Sequence, residues 1–119
     1  MKHLHFDVET AGFYGAYWAC TGGSDCAVIA MIGDDPEDRL ARSAAKWLCG
    51  RGVNVLTMSP GKKDYGHHNY PLERVETAIS WLKANGNHKI GIAGASTTGT
   101  LALTAAAMFP DITLTIAMT

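Results

Sequence analysis

The stretch from Gly91 to Thr100, GIAGASTTGT, joins two segments of different character. The run that ends in it, KIGIAG (89–94), is short and apolar, and the run that follows it is rich in Ala and Leu. This change is typical of a strand that leads through a tight turn into a helix. Ser96 stands at the junction, where it is either a helix-capping residue or a nucleophile exposed on a sharp turn.

Three other segments resemble the strand before this junction. CAVIAMI (26–32) is a continuous apolar run, as expected for a strand covered on both faces, and VNVLT (53–57) and ITLTIAM (112–118) are further core strands. The aromatic-rich GFYGAYWA (12–19) also has the character of a strand. Together with the opening residues, it is expected to add one or two antiparallel strands at one edge of the sheet.

Helical patterns separate the core strands. Asp35 is predicted to cap the first helix, with Pro36 at its first position, and Gly50 and Gly52 are predicted stops. The second helix is predicted to open at Pro71. The third, Ser96 to Met108, is apolar nearly all round and is therefore expected to be buried. Core packing is the expected role of two tryptophans on or beside the helical apolar faces, Trp47 and Trp81.

Strands that alternate with helices indicate right-handed crossovers and a parallel sheet with helices on both faces. The 119 residues fit a single domain. The sequence therefore predicts a three-layer α/β/α sandwich with a mostly parallel sheet.

Composition excludes several classes of function. Ten basic and eleven acidic residues give a net charge of −1, which offers no support for binding nucleic acid or an anionic membrane. No apolar run approaches the roughly 20 residues that span a bilayer, and the opening MKHLHFDVET has no signal-peptide core. Three scattered cysteines favour a reduced, cytoplasmic setting. No metal and no cofactor are expected.

Other candidate motifs are weaker than the junction at Ser96. The glycines of GIAGASTTGT lack the spacing of a dinucleotide-binding loop. His67 and His68 are adjacent, so their side chains diverge, and solvated loop histidines are favoured over a metal site. With Lys62 and Lys63 they are nevertheless candidates to meet the phosphates of an acyl carrier such as coenzyme A. Helix capping explains Asp34 and Asp35 more simply than metal binding does.

The ordered segments resemble the α/β-hydrolase superfamily over about residues 12–119. KIGIAGASTTGTLALTAAAMFPDITLTIAM is similar to the fifth strand, nucleophile elbow, helix C and sixth strand of that fold. IAMIGDDPEDRLARSAAKWLCGRGVNVLTMSPG is similar to the third strand, oxyanion loop, helix A and fourth strand, and PLERVETAISWLKAN is similar to helix B. Within the superfamily, the catalytic domains of acyl-CoA thioesterases and bile-acid-CoA:amino-acid N-acyltransferases are the most similar, followed by dienelactone-hydrolase-like enzymes.

The resemblance implies a role for each matching position. Ser96 would be the nucleophile, and the backbone N–H of Thr97 would be one oxyanion donor. The second donor would come from the loop after CAVIAMI, at Gly33 or Asp34. The implied reaction is acyl transfer from a small acyl ester or acyl-CoA thioester to water or an amine, through an acyl-serine intermediate.

The chain departs from the family's pattern in two respects. Thr98 stands where the elbow has a small residue, usually glycine, and the glycine comes one position later at Gly99. The family's order is serine, acid, histidine, yet all five histidines precede Ser96, and the only later acid, Asp111, should lie at the far end of the last strand.

These departures lead to the expectation that residues 1–119 are the amino-terminal half of an α/β-hydrolase domain, reaching strand six. Such a chain should be nearly inactive alone, and its last strand would be an exposed edge that invites self-association. The alternative hypothesis is a non-catalytic α/β domain that binds a ligand or partner at the same strand ends.

Overall fold

The computed structural model describes residues 3–59, 70–95 and 97–118. Within these ranges the chain forms six strands and four helices. In chain order they are β1 (Leu4–Phe6), α1 (Val8–Ala11), β2 (Gly15–Trp18), β3 (Cys26–Met31), α2 (Arg39–Cys49), β4 (Asn54–Met58), α3 (Glu73–Ala84), β5 (Lys89–Ala95), α4 (Thr97–Met108) and β6 (Ile112–Met118).

All six strands belong to one sheet in the order β1-β2-β4-β3-β5-β6. The four strands from β3 to β6 are parallel, and β2 is antiparallel to both of its neighbours, β1 and β4. The mostly parallel sheet is therefore confirmed, as is the addition of strands by antiparallel pairing at one edge. Because parallel strands share a direction, their carboxyl ends form a single edge, where open sheets of this kind bind ligands.

The helices cover both faces of the sheet and define two cores. The larger core joins the inward side chains of α3 and α4 to alternate residues of the strands, among them Ile29, Leu56 and Ile92. The smaller core lies on the opposite face, where Ala45 of α2 meets Val55 and Trp18. The molecule is thus the expected three-layer α/β/α sandwich.

The start of α2 corrects one prediction. The helix begins at Arg39, and Asp38 caps it by accepting a hydrogen bond from the backbone N–H of Ala41 at 2.9 Å. Asp35 does not cap the helix, because it closes a preceding turn: its carboxylate accepts from the Glu37 N–H and its carbonyl from the Asp38 N–H. Pro36 lies inside that turn rather than at the first helical position.

Exposure corrects two further predictions. α4, the helix predicted over Ser96 to Met108, is not buried all round, since Leu103 and Met108 are 56% and 57% exposed on its outer side. Trp47 does not pack in the core either: it is 59% exposed, and the Arg51 guanidinium lies 4.2 Å above its ring. Trp81 does pack inward, edge-on against Phe6 and Tyr17. None of the helices in the described part of the chain is both long and apolar enough to cross a membrane.

Candidate functional site

A cleft of about 240 Å³ lies at the carboxyl edge of the sheet, between the end of β3 and the junction of β5 with α4. Both of its walls are segments that the sequence singled out: the loop that follows β3 and the stretch that surrounds Ser96. Its lining residues are Met31, Ile32, Gly33, Asp34, Leu40, Ala95 and Thr98.

Gly94 makes the tight junction between β5 and α4 possible. A Cβ atom placed on Gly94 would lie 2.2 Å from the carbonyl oxygen of Thr98 and 2.6 Å from its carbonyl carbon. Real Cβ atoms do not approach backbone so closely, and backbone cannot turn aside as a flexible side chain can. The first turn of α4 can therefore fold back over the end of β5 only because position 94 has no side chain.

Thr98 fastens the same junction from the helix side. Its side chain is buried, and its hydroxyl donates to the carbonyl of Ala95 at 2.7 Å and accepts from the Ala95 N–H at 2.9 Å. Both polar groups of the last strand residue are thus satisfied by one side chain. A threonine at this position fits the close approach of helix and strand, because its hydroxyl takes part in the contact.

Ser96, the candidate nucleophile, lies outside the described residues. The described chain stops at Ala95 and resumes at Thr97, the first residue of α4. Since Ala95 and Thr98 both line the cleft, the amino end of this 12-residue helix opens on it. A helix amino terminus carries unpaired N–H groups and a partial positive charge, so it favours negative charge at that point.

The loop after β3 is held by Asp38. Gly33 has a φ of 93°, a left-handed conformation that brings its α-carbon against the Asp38 carboxylate; a Cβ there would lie 2.4 Å from Oδ1. Asp38 Oδ2 accepts from the N–H groups of Asp34 and Asp35 at 2.7 and 3.2 Å. One carboxylate therefore caps α2 and holds two amides of the loop together.

These contacts also set the charge of Asp38. Burial alone would raise its pKa, but the backbone hydrogen bonds from Ala41, Asp34 and Asp35 outweigh that cost and lower the pKa. The carboxylate is consequently ionised at neutral pH and acts only as an acceptor.

The peptide group between Gly33 and Asp34 is fixed at both ends. Its carbonyl accepts from the hydroxyl of Ser59, just after β4, at 2.8 Å, while its N–H donates to Asp38. The Asp34 amide is thus already engaged in this conformation. The Gly33 amide is not among the donors to Asp38.

Two histidines contact the far end of this loop. Nε2 of His3 and Nδ1 of His5 each bind one oxygen of the Glu37 carboxylate, the second at 2.6 Å. Burial would raise the pKa of Glu37, but the hydrogen bonds from the two histidines lower it. His3 also stacks on Trp18, with ring centroids 4.1 Å apart. Both histidines are therefore committed to an anchor between the opening segment and the loop.

The backbone of these two histidines lies at the edge of the sheet, away from β5. His3 precedes β1, and His5 belongs to it, and β1 is four strands away from β5 in the sheet. At about 4.8 Å per strand the separation is roughly 19 Å. His88 precedes β5 at its amino end, at the opposite edge of the sheet from Ala95. These three histidines are therefore not placed to act on a group that follows Ala95.

Asp111 lies at the amino end of β6, as expected from the sequence. Its carboxylate pairs with Nζ of Lys83 at 2.6 Å, and both side chains are about half exposed. The four loop residues considered for a phosphate-bearing carrier, Lys62, Lys63, His67 and His68, lie outside the described residues. Within residues 3–59, 70–95 and 97–118, no group of three His, Cys, Asp or Glu side chains is arranged to hold a metal ion.

Sequence reasoning missed the contacts that shape the loop. Asp38 has a local signal, since an aspartate three residues before the first core-facing residue of a helix, Ala41, is a capping pattern. Ser59 and the His3–Glu37–His5 anchor have no such signal, because their partners are 26 to 34 positions away in the chain.

Comparisons with known proteins identify similar solved structures. The crystal structure of the α/β-hydrolase GrgF from Penicillium sp. sh18 has a TM-score of 0.72 and 22% identity, with 98% of this chain and 44% of that one covered. A cold-adapted esterase from an Arctic intertidal metagenomic library is also similar in its PEG-bound complex, with a TM-score of 0.71, 19% identity, and 98% of this chain and 58% of that one covered. Its zinc-bound structure has a TM-score of 0.69 and 21% identity, with 98% of this chain and 56% of that one covered. No family model and no curated protein matches the chain.

The chain spans between 44% and 58% of the length of these structures. Each match extends over 98% of this chain. The likeness shows that the chain has the α/β-hydrolase fold over its six strands.

Proposed function

We propose that this chain carries the nucleophile-bearing part of a serine-dependent acyl ester or thioester hydrolase, or of a related acyltransferase. The observation that carries the proposal is the junction between β5 and α4. Gly94 and Thr98 fold the helix back over the strand end, and Ala95 and Thr98, which stand on either side of position 96 in the chain, both line the cleft. Position 96 is a serine, and a tight strand-to-helix turn is the arrangement that activates a serine in this fold.

The cleft also offers donors for the oxyanion that forms when a serine attacks an acyl carbonyl. The backbone N–H of Thr97 belongs to the first turn of α4, whose amides and dipole favour negative charge. For the second donor, Gly33 is preferred over Asp34, because the Asp34 amide already donates to Asp38. Holding the neighbouring peptide from both ends keeps the loop rigid, and rigid donors stabilise a transition state without reorganising.

In the proposed reaction, the Ser96 hydroxyl attacks the carbonyl of a small ester or an acyl-CoA thioester and expels the alcohol or thiol. Water or an amine then attacks the acyl-serine and regenerates the hydroxyl. Both steps need a general base. Because none of the described histidines lies near the carboxyl end of β5, we propose that the base and its acid belong to further polypeptide, and that residues 1–119 form the amino-terminal part of a larger domain.

The test uses a fluorophosphonate, which phosphonylates nucleophilic serines, with free imidazole added to stand in for the base. The purified chain is incubated with the probe, and modified peptides are quantified by mass spectrometry. We expect modification at Ser96 in preference to Ser43 and Ser80, which are exposed serines on α2 and α3. Imidazole should increase the modification of Ser96 more than that of the two reference serines.

Ser96→Ala should abolish the main product, while Ser80→Ala, the matched control, should leave it unchanged. Equal modification of all three serines in the folded chain would contradict a nucleophile role for Ser96. Robust Ser96-dependent esterase turnover without imidazole would instead contradict the proposal that the base lies elsewhere.

A further inference from the structure

The loop between β3 and α2, residues 33–38, is held mainly by its own hydrogen bonds. Most of its backbone N–H groups donate to acceptors inside the loop itself: those of Asp34, Asp35, Glu37 and Asp38. Within the described residues, the Gly33 N–H is the one donor of this loop without a hydrogen-bond partner, and Gly33 lines the cleft. Backbone donors in folded proteins are normally paired, so a donor left free beside a cleft is available to an oxygen atom of a ligand.

Glu37, near the other end of the loop, is held from three sides. Its two carboxylate oxygens bind the imidazoles of His3 and His5, and its carbonyl accepts from Nε of Arg42 at 2.7 Å. The side chain of Glu37 is only 24% exposed, so its contacts are partly shielded from water. A carboxylate with a donor on each oxygen is fixed in orientation as well as in position.

One of these partners, His3, rests on the buried ring of Trp18, with the two ring centroids 4.1 Å apart. Nε1 of the same tryptophan donates to the Thr57 hydroxyl at 3.0 Å, and that hydroxyl donates to the Pro36 carbonyl at 2.6 Å. The contacts therefore form a closed circuit, which runs from the core to Glu37 and returns to the residue before it. The core of the molecule thus fixes both the side chain of Glu37 and the backbone beside it.

Hydrogen bonds inside the loop connect Glu37 to Gly33. The Glu37 N–H donates to Oδ1 of Asp35 at 2.9 Å. The N–H groups of Asp35 and Asp34 share one oxygen of Asp38, at 3.2 and 2.7 Å, and Asp34 shares a peptide group with Gly33. A displacement of Glu37 would therefore be transmitted through these bonds to Gly33.

We propose that Glu37 is a positioning residue: its anchor to the two histidines keeps the Gly33 N–H free and fixed beside the cleft. The inference rests on the proposed function, in which Gly33 donates to the oxyanion. A donor that is fixed in advance stabilises a transition state without reorganising, whereas a mobile donor loses much of that effect. The described lining of the cleft does not include Glu37, which therefore acts through the loop and not on the substrate.

The test measures how fast a fluorophosphonate modifies Ser96 at a series of probe concentrations, with imidazole present. Glu37→Met removes both acceptors of the anchor. Removing a complete oxyanion donor lowers a rate by about 100- to 1,000-fold, so loosening one should lower the maximal rate by about tenfold. The half-saturating probe concentration should be unchanged, because the donor acts only in the transition state. Exchange of the Asp34 amide with deuterium should accelerate in the same variant.

Conservative replacements of the histidines show whether the hydrogen bonds themselves matter. His3→Gln and His5→Asn together keep an N–H donor near the place of each imidazole nitrogen, so they should retain nearly the full rate. His3→Phe and His5→Leu together remove both donors, although a phenyl ring can still stack on Trp18, and they should reproduce the loss seen with Glu37→Met. Combining that pair with Glu37→Met should cause no further loss, since all three changes act on one contact.

Lys83→Met is the matched control, because it removes a surface ion pair with Asp111 at the amino end of β6. It should leave the modification of Ser96 unchanged, measured against Ser43 and Ser80 in the same sample. If Glu37→Met does not fold, His5→Leu alone repeats the test at a side chain that is 46% exposed.

The outcomes separate this inference from the proposed function. An unchanged maximal rate in Glu37→Met, even with a lower urea midpoint, would make the anchor merely structural and overturn the inference alone. A loss of rate that the His3→Gln/His5→Asn pair shares would do the same. Absence of Ser96 modification in the wild-type chain would overturn the proposed function, and this inference with it.

Discussion

Gly94→Ala is the sharpest test of how the β5–α4 junction is built. The added methyl group would lie 2.2 Å from the Thr98 carbonyl oxygen, whereas ordinary contact begins near 3.4 Å. To remove this overlap, the first turn of α4 would have to move away from the strand by about 1 Å, the difference between these two distances. That movement would stretch the two hydrogen bonds between Thr98 and Ala95, which measure 2.7 and 2.9 Å.

The expected loss of stability combines two effects. Overpacking of a rigid contact costs about 1–3 kcal/mol, and weakening a buried pair of hydrogen bonds adds about 1 kcal/mol. A total of about 2–4 kcal/mol corresponds to a melting temperature lower by roughly 10 °C for a chain of this size. Gly91→Ala is a matched control on the same strand, because its new methyl group would meet the backbone oxygen of Leu114 at 3.3 Å, a contact that needs a shift of only a few tenths of an ångström.

Urea unfolding monitored by circular dichroism measures both variants. We expect a lower midpoint for Gly94→Ala with an unchanged slope, and a midpoint near that of the wild type for Gly91→Ala. Equal stability of the two variants would refute the close approach of the α4 backbone to Gly94, the contact on which the proposed role of Ser96 rests.

Three other predictions concern the contacts around the cleft. Thr98→Val keeps the shape of the side chain but removes both of its hydrogen bonds to Ala95, so we expect a loss of about 1–3 kcal/mol in urea unfolding. Thr104→Val also removes a hydroxyl, but at an exposed position of α4, and should cost far less. Asp38→Asn retains one acceptor for the helix cap but cannot accept from the loop amides, so exchange of the Asp34 amide with deuterium should accelerate while the fold persists. Folding lowers the pKa of Glu37, so the unfolded chain binds more protons at acid pH. The stabilisation contributed by Glu37 is therefore present above about pH 4.5 and is lost as the pH falls below that value. Glu37→Gln should flatten this part of the curve of stability against pH.

The sheet was predictable because its signals are local. CAVIAMI and KIGIAG are continuous apolar runs with turn residues on both sides. A strand that helices cover on both faces has no polar face, so its sequence lacks the alternation of apolar and polar residues typical of a half-exposed strand. Because these strands alternate with segments of helical periodicity, few topologies are possible. The strands and their parallel arrangement follow from the chain without knowledge of distant contacts.

The loop beside the cleft was less predictable, because two aspartates competed for one role. Asp35 and Asp38 can each cap a helix, and Pro36 favours the first of them in sequence. Tertiary contacts decide for the second, since the hydroxyl of Thr57 on β4 donates to the Pro36 carbonyl at 2.6 Å and holds the proline in the preceding turn. The sequence also does not indicate which side of α4 is exposed, because an alanine-rich helix has no clear apolar face to distinguish the side that meets the sheet.

The role of Thr98 shows how a motif can be satisfied by different residues. A strand that turns sharply into a helix needs one position where backbone meets backbone without an intervening side chain. The familiar pattern supplies a small residue after the turn, but the close contact here runs from Gly94, before the turn, to the carbonyl of Thr98. Once Gly94 provides the space, position 98 is free to carry a side chain, and its hydroxyl can bind the strand end. The physical requirement therefore concerns the pair of positions in contact, and a search for glycine at a single fixed offset from the serine would reject a chain that meets it.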